Sequence, residues 1–365
     1  MNRRNFIQAV PATGLLVAAA PLVRAAESPM PAQSAGWRTF ETAARLEIAK
    51  PAGQVMAWMP LPLSQDTDYF RTLGNGWKGN AESVDMVVDP TYRAAIAVAT
   101  FKPNEATPML EVTSRFAVRE RHVEIKNGAG MMATRDELAV YLKPTAAIPT
   151  DGLAKKTSDE ITRGARTEVD KARAIYEWIV ENTYRDPKTK GCGVGDINVL
   201  LESKNFGGKC ADLNALFVGL CRAAGVPARD VYGVRVVESP RGYKSMGKLG
   251  DITKAQHCRA EFYAQGIGWV PADPADVRKV ILEEPPATLT LNDEKVKVMR
   301  SFLFGNWEGN WLAYNYAHDV KLPGSKGAPI NFFMYPQAET AEGRLDPLDP
   351  DNFKYKIVSR EITPA

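Results

Sequence analysis

Hydrophobic and polar positions change rhythm along this chain. Between about residues 37 and 123 apolar residues fall in short, partly alternating runs at 40–48, 54–59, 94–101 and 110–118, broken by turns such as Pro60-Leu61-Pro62. Period-two alternation lays apolar side chains on one face of a strand, so this segment predicts an antiparallel sheet or small sandwich. Past Pro149-Thr150-Asp151 the period lengthens. Thr167-Glu168-Val169-Asp170 has the chemistry of a helix start, and Val169, Ala172, Ile175, Tyr176 and Ile179 follow as one apolar stripe. A second stripe, Leu213, Leu216, Phe217, Leu220, Cys221 and Ala224, ends at Gly225-Val226-Pro227, a helix stop. A strand over 231–237, a polar loop, and a hairpin pairing 257–264 with 269–272 come next. Beyond Pro285-Pro286 the aromatic-rich tail (Phe302, Trp307, Trp311, Tyr314, Tyr316, Phe332-Phe333) predicts further β structure. The pattern gives an α+β chain with a β-rich segment at 26–150, a mixed segment at 151–285 and a β-rich extension at 286–365.

Composition changes this picture little. Of 365 residues, 45% are hydrophobic and 24% charged, ordinary for a chain with a buried core. The net charge of +3 belongs to the first 25 residues, which carry Arg3, Arg4 and Arg24 and no acid; what remains balances 43 basic against 43 acidic residues. A balanced body lacks the overall field on which sequence-independent nucleic-acid binding depends, so nucleic acid is not an expected partner. The first 25 residues themselves predict an export signal. Arg3-Arg4-Asn5-Phe6 precedes an apolar run from Ala9 to Val23, with small residues at Ala25 and Ala26 for cleavage. This is a twin-arginine pattern and predicts a periplasmic mature protein. No other stretch approaches the ~18 apolar residues of a membrane span.

Candidate chemistry gathers in the mixed segment. Cys210 stands at the amino-terminal tip of the second helix, behind Gly207-Gly208. There the helix dipole and unpaired N–H groups favour the thiolate and lower its pKa below the free value of about 8.5. A nucleophilic cysteine needs a base, and the base an orienting group. The chain has three histidines, and His257 lies on the first hairpin strand with Asp273 at the end of the second. A hairpin can bring the two within hydrogen-bond reach. A cysteine on a helix tip facing a histidine and a carboxylate on adjacent strands is how a papain-like thiol acyl transferase is built.

The segments "GGKCADLNALFVGLCRAAGVPAR" and "QHCRAEFYAQGIGWVPADP" resemble the transglutaminase-like superfamily in its bacterial exported branch. The resemblance covers roughly residues 155–285, with "IYEWIVENTYRD" matching the helix that precedes the nucleophile in that family. It implies a papain-like core, with Cys210 as nucleophile, His257 as general base and acid, and Asp273 as orienter in preference to Asp276. The implied activity is cysteine-dependent acyl transfer on amides of a protein or peptide, a cell-wall peptide among the classes. Hydrolysis of the peptidase or amidase type is expected before transamidation. Tyr184, in the family's "TY" motif, is a candidate second oxyanion donor. Many members carry a Trp two residues after the histidine, where this chain has Arg259. The competing expectation is an inactive binding module of the cell envelope, with the cleft kept and the chemistry lost.

The remaining motifs carry less. Cys210 and Cys221, eleven positions apart on one helix, stand about 16 Å apart and cannot form a disulfide. Alternation places Cys258 on the face of its strand opposite His257. Cys192 lies in a Gly-rich loop that could approach Cys210. His122 and His318 are expected to be structural, and the tail aromatics to be core rather than a ligand platform. Ser245-Met246-Gly247-Lys248 has a serine–lysine spacing without its companion motifs. Gly191–Gly195 is not a dinucleotide fingerprint, and Cys192, Cys210, His257 and Cys258 lack the paired short spacing of a zinc site. No cofactor or metal is expected.

Overall fold

The computed structural model describes residues 36–362, apart from 127 and 129. The signal-like segment lies outside the described residues.

The alternating runs become strands Arg38–Ile48, Met56–Pro60, Ala95–Thr100 and Met109–Val118, close to where the pattern puts them. They divide between two five-stranded antiparallel sheets. In one, Arg38–Ile48 lies between Met109–Val118 and the C-terminal strand Phe353–Ile362, with Phe70–Gly79 and Gly250–Asp251 at the edges. In the other, Met56–Pro60 lies between Ala95–Thr100 and Gln337–Thr340. Leu46, Ile48, Leu110, Val112 and Phe353 of the first sheet pack with Ala57, Met59, Ala97, Ala99 and Ala338 of the second, so the two form a sandwich. Segments 26–150 and 286–365 thus contribute strands to the same two sheets. Strand Phe70–Gly79 was not expected: its apolar residues do not alternate and most of its length is exposed. Pairing along the whole of Met109–Val118 holds it in place.

Between these strands in sequence stands the mixed α/β core. Its antiparallel sheet runs in the order Gly268–Ala272, Gln256–Ala264, Ala228–Arg235, Trp311–Asn315. The outer strand comes from the tail. Helix Glu168–Asn182 starts at a capping box, Thr167 accepting from the Asp170 N–H and Asp170 from the Thr167 N–H. Helix Cys210–Ala223 is buried along its whole length, and Gly225 ends it at φ +80. Leu216, Phe217 and Leu220 of this helix pack with Ile175, Tyr176 and Ile179 of the first and with Ala260, Phe262 and Val270 of the sheet. A helix enclosed on all sides explains why its apolar positions extend beyond one stripe.

The tail departs from the all-β expectation through helix Glu294–Phe302, which buries Val296 and Met299, three positions apart. On the same sheet, Glu261 is buried between Arg121 and Arg229, whose guanidinium stacks over Trp269 at 3.9 Å and Tyr316 at 3.8 Å. Gly233 is fixed by crowding, since a Cβ there would stand 2.0 Å from the Leu312 carbonyl oxygen.

Candidate active site

The amino terminus of helix Cys210–Ala223 is fastened by its own third residue. Asp212 accepts from the N–H of Lys209 at 2.9 Å, closing the first turn, and from those of Val194 at 2.9 Å and Gly195 at 3.0 Å. One carboxylate therefore ties the Gly-rich loop to the helix tip. Only glycine serves at position 193, where φ is +97 and a Cβ would fall 1.9 Å from Asp212 Oδ2. The loop's Cys192 carbonyl accepts the Ala211 N–H at 2.9 Å, and the Cys192 sulfur lies 3.3 Å from the Gln256 carbonyl oxygen.

His257 begins strand Gln256–Ala264, one residue from its start. Its Nε2 lies 2.7 Å from Asp273 Oδ2 and 3.3 Å from Asp276 Oδ2. Both carboxylates are fully buried, at the first turn of helix Pro274–Glu283, where Asp273 is the N-cap and accepts the Asp276 N–H at 3.1 Å. Asn214, one helical turn past Cys210, donates to Asp273 Oδ1 at 3.1 Å and to the Cys258 carbonyl at 2.9 Å. Asp276 is gripped by the buried Arg235 guanidinium. With Nε2 committed to the carboxylates, Nδ1 is the ring nitrogen left for Cys210.

The charges follow from these contacts. Hydrogen bonds from Cys192 and Cys258, together with His257, hold the Cys210 thiol well below the ordinary thiol range against the effect of burial. Burial and Arg235 press the His257 pKa down, but Asp276 and Asp273 outweigh them and raise it to about 9. Asp276 is held ionised, its burial overcome by Arg235 and His257. Asp273 is shifted up by burial and by the neighbouring Asp276 charge. The arrangement favours a thiolate beside an imidazolium, backed by two carboxylates and a guanidinium.

Cys210, His257 and Asp273, far apart in sequence, thus meet at one point, and Cys210 and His257 line a cleft of about 780 Å³. A description of the transglutaminase-like superfamily matches residues 155–274, the stretch that holds all three. A Haemophilus influenzae protein described only as uncharacterized is 35% identical over 326 residues, covering 85% of this chain and 87% of its own. The chain belongs to the transglutaminase-like superfamily. A crystal structure titled as that of "a Putative Cysteine Protease from Cytophaga hutchinsonii" shares the fold, with a TM-score of 0.53 at 12% identity over 90% of this chain and 92% of that one.

Several members of this transglutaminase-like site were not legible beforehand. Alternation placed Cys258 on the strand face opposite His257 but gave it no part in the site; its thiol reaches Cys210. All four cysteines are free thiols. Arg259 donates to the Glu308 carbonyl at 3.0 Å and to Asn310 at 3.1 Å and lies over the Trp311 ring at 4.8 Å. Trp311 in turn donates to the His257 carbonyl at 3.2 Å, so the tail supports the histidine strand. The tail also lines the cleft through Tyr335, Leu348, Phe353 and Tyr355, while Trp307, Trp311, Tyr314 and Phe333, among the aromatics expected to be core, are buried.

Tyr184 donates its hydroxyl to Asn205 at 2.7 Å and is not among the cleft-lining residues. Ser245 faces the cleft but donates to Glu284 at 3.0 Å. His122 and His318 lie elsewhere, beside Asn306 and Asp230. Among the described residues, the set with ligand atoms close enough for a metal is His257, Asp273 and Asp276, within 4.8 Å of one another. The positive charge these carboxylates need is already supplied by Arg235 and protonated His257.

Proposed function

We propose that this protein is a cysteine-dependent acyl-transfer enzyme acting on amide bonds, with Cys210 as nucleophile, His257 as acid and base, and Asp273 as orienter. The observation that carries this reading is the 2.7 Å contact of His257 Nε2 with buried Asp273. It turns the other ring nitrogen toward a thiol whose surroundings favour the thiolate.

The chemistry follows from the residue types. The Cys210 sulfur attacks the amide carbonyl, and the tetrahedral oxyanion is met by the Cys210 backbone N–H at the helix tip. The neighbouring Ala211 N–H is already spent on Cys192. His257 then gives its proton to the departing amine, and the C–N bond breaks to leave a thioester. With the amine gone, neutral His257 takes a proton from water, whose oxygen attacks the thioester; the acid is released and the thiolate–imidazolium pair restored. An amine in place of water would give transamidation. We infer hydrolysis, of the peptidase or amidase type, and an extracytoplasmic setting from the export pattern of residues 1–25.

Alkylation of Cys210 by iodoacetamide, followed by peptide mass spectrometry from pH 4 to 9, a range spanning shifted and free thiol values, tests the site without a known substrate. Wild type should label Cys210 rapidly at mildly acidic pH. His257→Ala should lose that advantage, and Cys210→Ala should lose all activity while keeping its circular dichroism. A Cys210 that titrates like a free thiol in wild type overturns the catalytic reading in favour of a binding module.

A further inference from the structure

The cleft is strongly one-signed. Nine lysines and arginines line it and no aspartate or glutamate does, in a chain whose charges balance once the first 25 residues are set aside. Four of the nine are ion-paired: Arg185 and Lys279 share Glu283, Lys190 pairs with Asp346 and Arg235 with Asp276. The other five, Lys209, Lys244, Lys248, Lys254 and Lys354, have no ion-pair partner among the described residues. Lys209 immediately precedes Cys210. Lys244, Lys248 and Lys254 come from the polar loop ahead of the His257 strand, and Lys354 from the start of the last strand. Three separate parts of the chain thus bring lysines without an ion-pair partner to the lining of one cleft. The carboxylates nearest the reacting end are buried: Asp273 and Asp276 behind the imidazole, matched by it and by Arg235, and Asp212 against the backbone N–H groups of Lys209, Val194 and Gly195.

We propose that the acyl donor is an acidic peptide, carrying two or more carboxylates beside the scissile amide. This rests on the catalytic reading given above and specifies its substrate. A cleft lined by charges of one sign concentrates ligands of the other and repels like-charged competitors. Its volume of about 780 Å³ suits several residues of an extended chain. The unpaired cations are all lysines, point charges on mobile stems that follow carboxylates at varied positions. Both cleft arginines, whose planar forks suit bidentate phosphate recognition, are consumed by internal carboxylates. That balance favours a carboxylate-rich peptide over a nucleic acid.

The test compares iodoacetate with iodoacetamide as alkylating probes of Cys210, each normalised to its rate with free cysteine. One ammonium about 10 Å from an anion in water favours it about twofold at low ionic strength, so three give about an order of magnitude. The normalised iodoacetate to iodoacetamide ratio should therefore fall about three- to tenfold in Lys244→Gln/Lys248→Gln/Lys254→Gln. Near 1 M salt, where the screening length is about 3 Å, wild type should lose most of the same advantage. Removing three charges elsewhere, in Lys50→Gln/Lys102→Gln/Lys321→Gln, should leave the ratio unchanged. Slow iodoacetamide labelling would count against the catalytic reading. Fast iodoacetamide labelling with an unchanged ratio in the cleft variant would leave that reading standing and overturn this one. In a second arm, Cys210→Ala is titrated with fluorescein-labelled hexaglutamate, hexaglutamine and hexathymidylate. Hexaglutamate should bind severalfold more tightly than either; tighter binding of hexathymidylate, or equal binding of the two peptides, would overturn the assignment.

Discussion

Removing the Asp276 charge should collapse the elevated pKa of His257. A unit charge 3.3 Å from Nε2 is worth about 5 kcal/mol at an effective dielectric near 20, enough to move a pKa by three to four. The net elevation is smaller, from 6.5 to about 9, because burial and Arg235 oppose it. In Asp276→Asn the Asp273 contact remains, but Arg235 is left facing the imidazole without its partner. We expect the His257 pKa to fall to about 6.5 or below, a loss of roughly 3 kcal/mol in favour of the imidazolium. Arg235→Gln should act in the opposite direction, since it frees Asp276 to act on the histidine alone. The double variant should lie between the two. The assay is ring-carbon NMR of histidine-labelled protein, in which the His257 signal is followed with pH and assigned by His257→Gln. Breaking a buried pair destabilises, so folding of each variant is checked by amide spectra. A His257 value still near 9 in Asp276→Asn, or both single variants moving it the same way, would refute the electrostatic account.

Two further outcomes follow from the same physics. His257 has a folded pKa above its unfolded value, so its charge contributes stability that is complete below about 6.5 and lost as pH rises through about 9. The difference in Tm between wild type and His257→Gln should shrink over that window, and Cys210 alkylation should change its pH dependence near 9; a difference constant from pH 6 to 10 would contradict this. Glu261→Gln leaves buried Arg229 without a carboxylate and Arg121 with Asp68 alone at 3.5 Å, and should cost about 3–5 kcal/mol in denaturant unfolding, whereas a loss below about 1 kcal/mol would show that the cluster is not holding the core together. Its pH signature has the other sign. Arg229 and Arg121 overcome burial to lower the Glu261 pKa, so its contribution is present above about 4.5 and lost as pH falls through the folded value.

What the sequence disclosed was what it encodes locally. Thr167 with Asp170, and Gly225 after its apolar stripe, are signals within one or two turns, and the helices lie where those signals put them. The hairpin was legible for the same reason, and it supplies both His257 and Asp273. What stayed hidden depends on distant partners. Arg235 and Asp276 lie 41 positions apart and meet only when the sheet and helix Pro274–Glu283 pack, so no spacing announces the pair. Alternation placed Cys258 opposite His257, but it does not say what packs on that face, so its contact with Cys210 stayed unseen. The cationic cleft was masked by averaging, since a balanced total charge says nothing about where its members gather. Phe70–Gly79 escaped because an exposed strand with poor alternation is specified by its neighbour.

The position of the final strand bears on how the chain is made. Phe353–Ile362 does not decorate an edge; it fits between Gly250–Asp251 and Arg38–Ile48, joining residues as far apart as Arg38 and Glu361, 323 positions away. During synthesis from the amino terminus, the first strand must wait for the last before both of its sides are paired. One backbone edge stays open to other chains until then. A polypeptide lacking Phe353–Ile362 would carry every candidate catalytic side chain and an unfinished sheet, prone to pairing with its own kind.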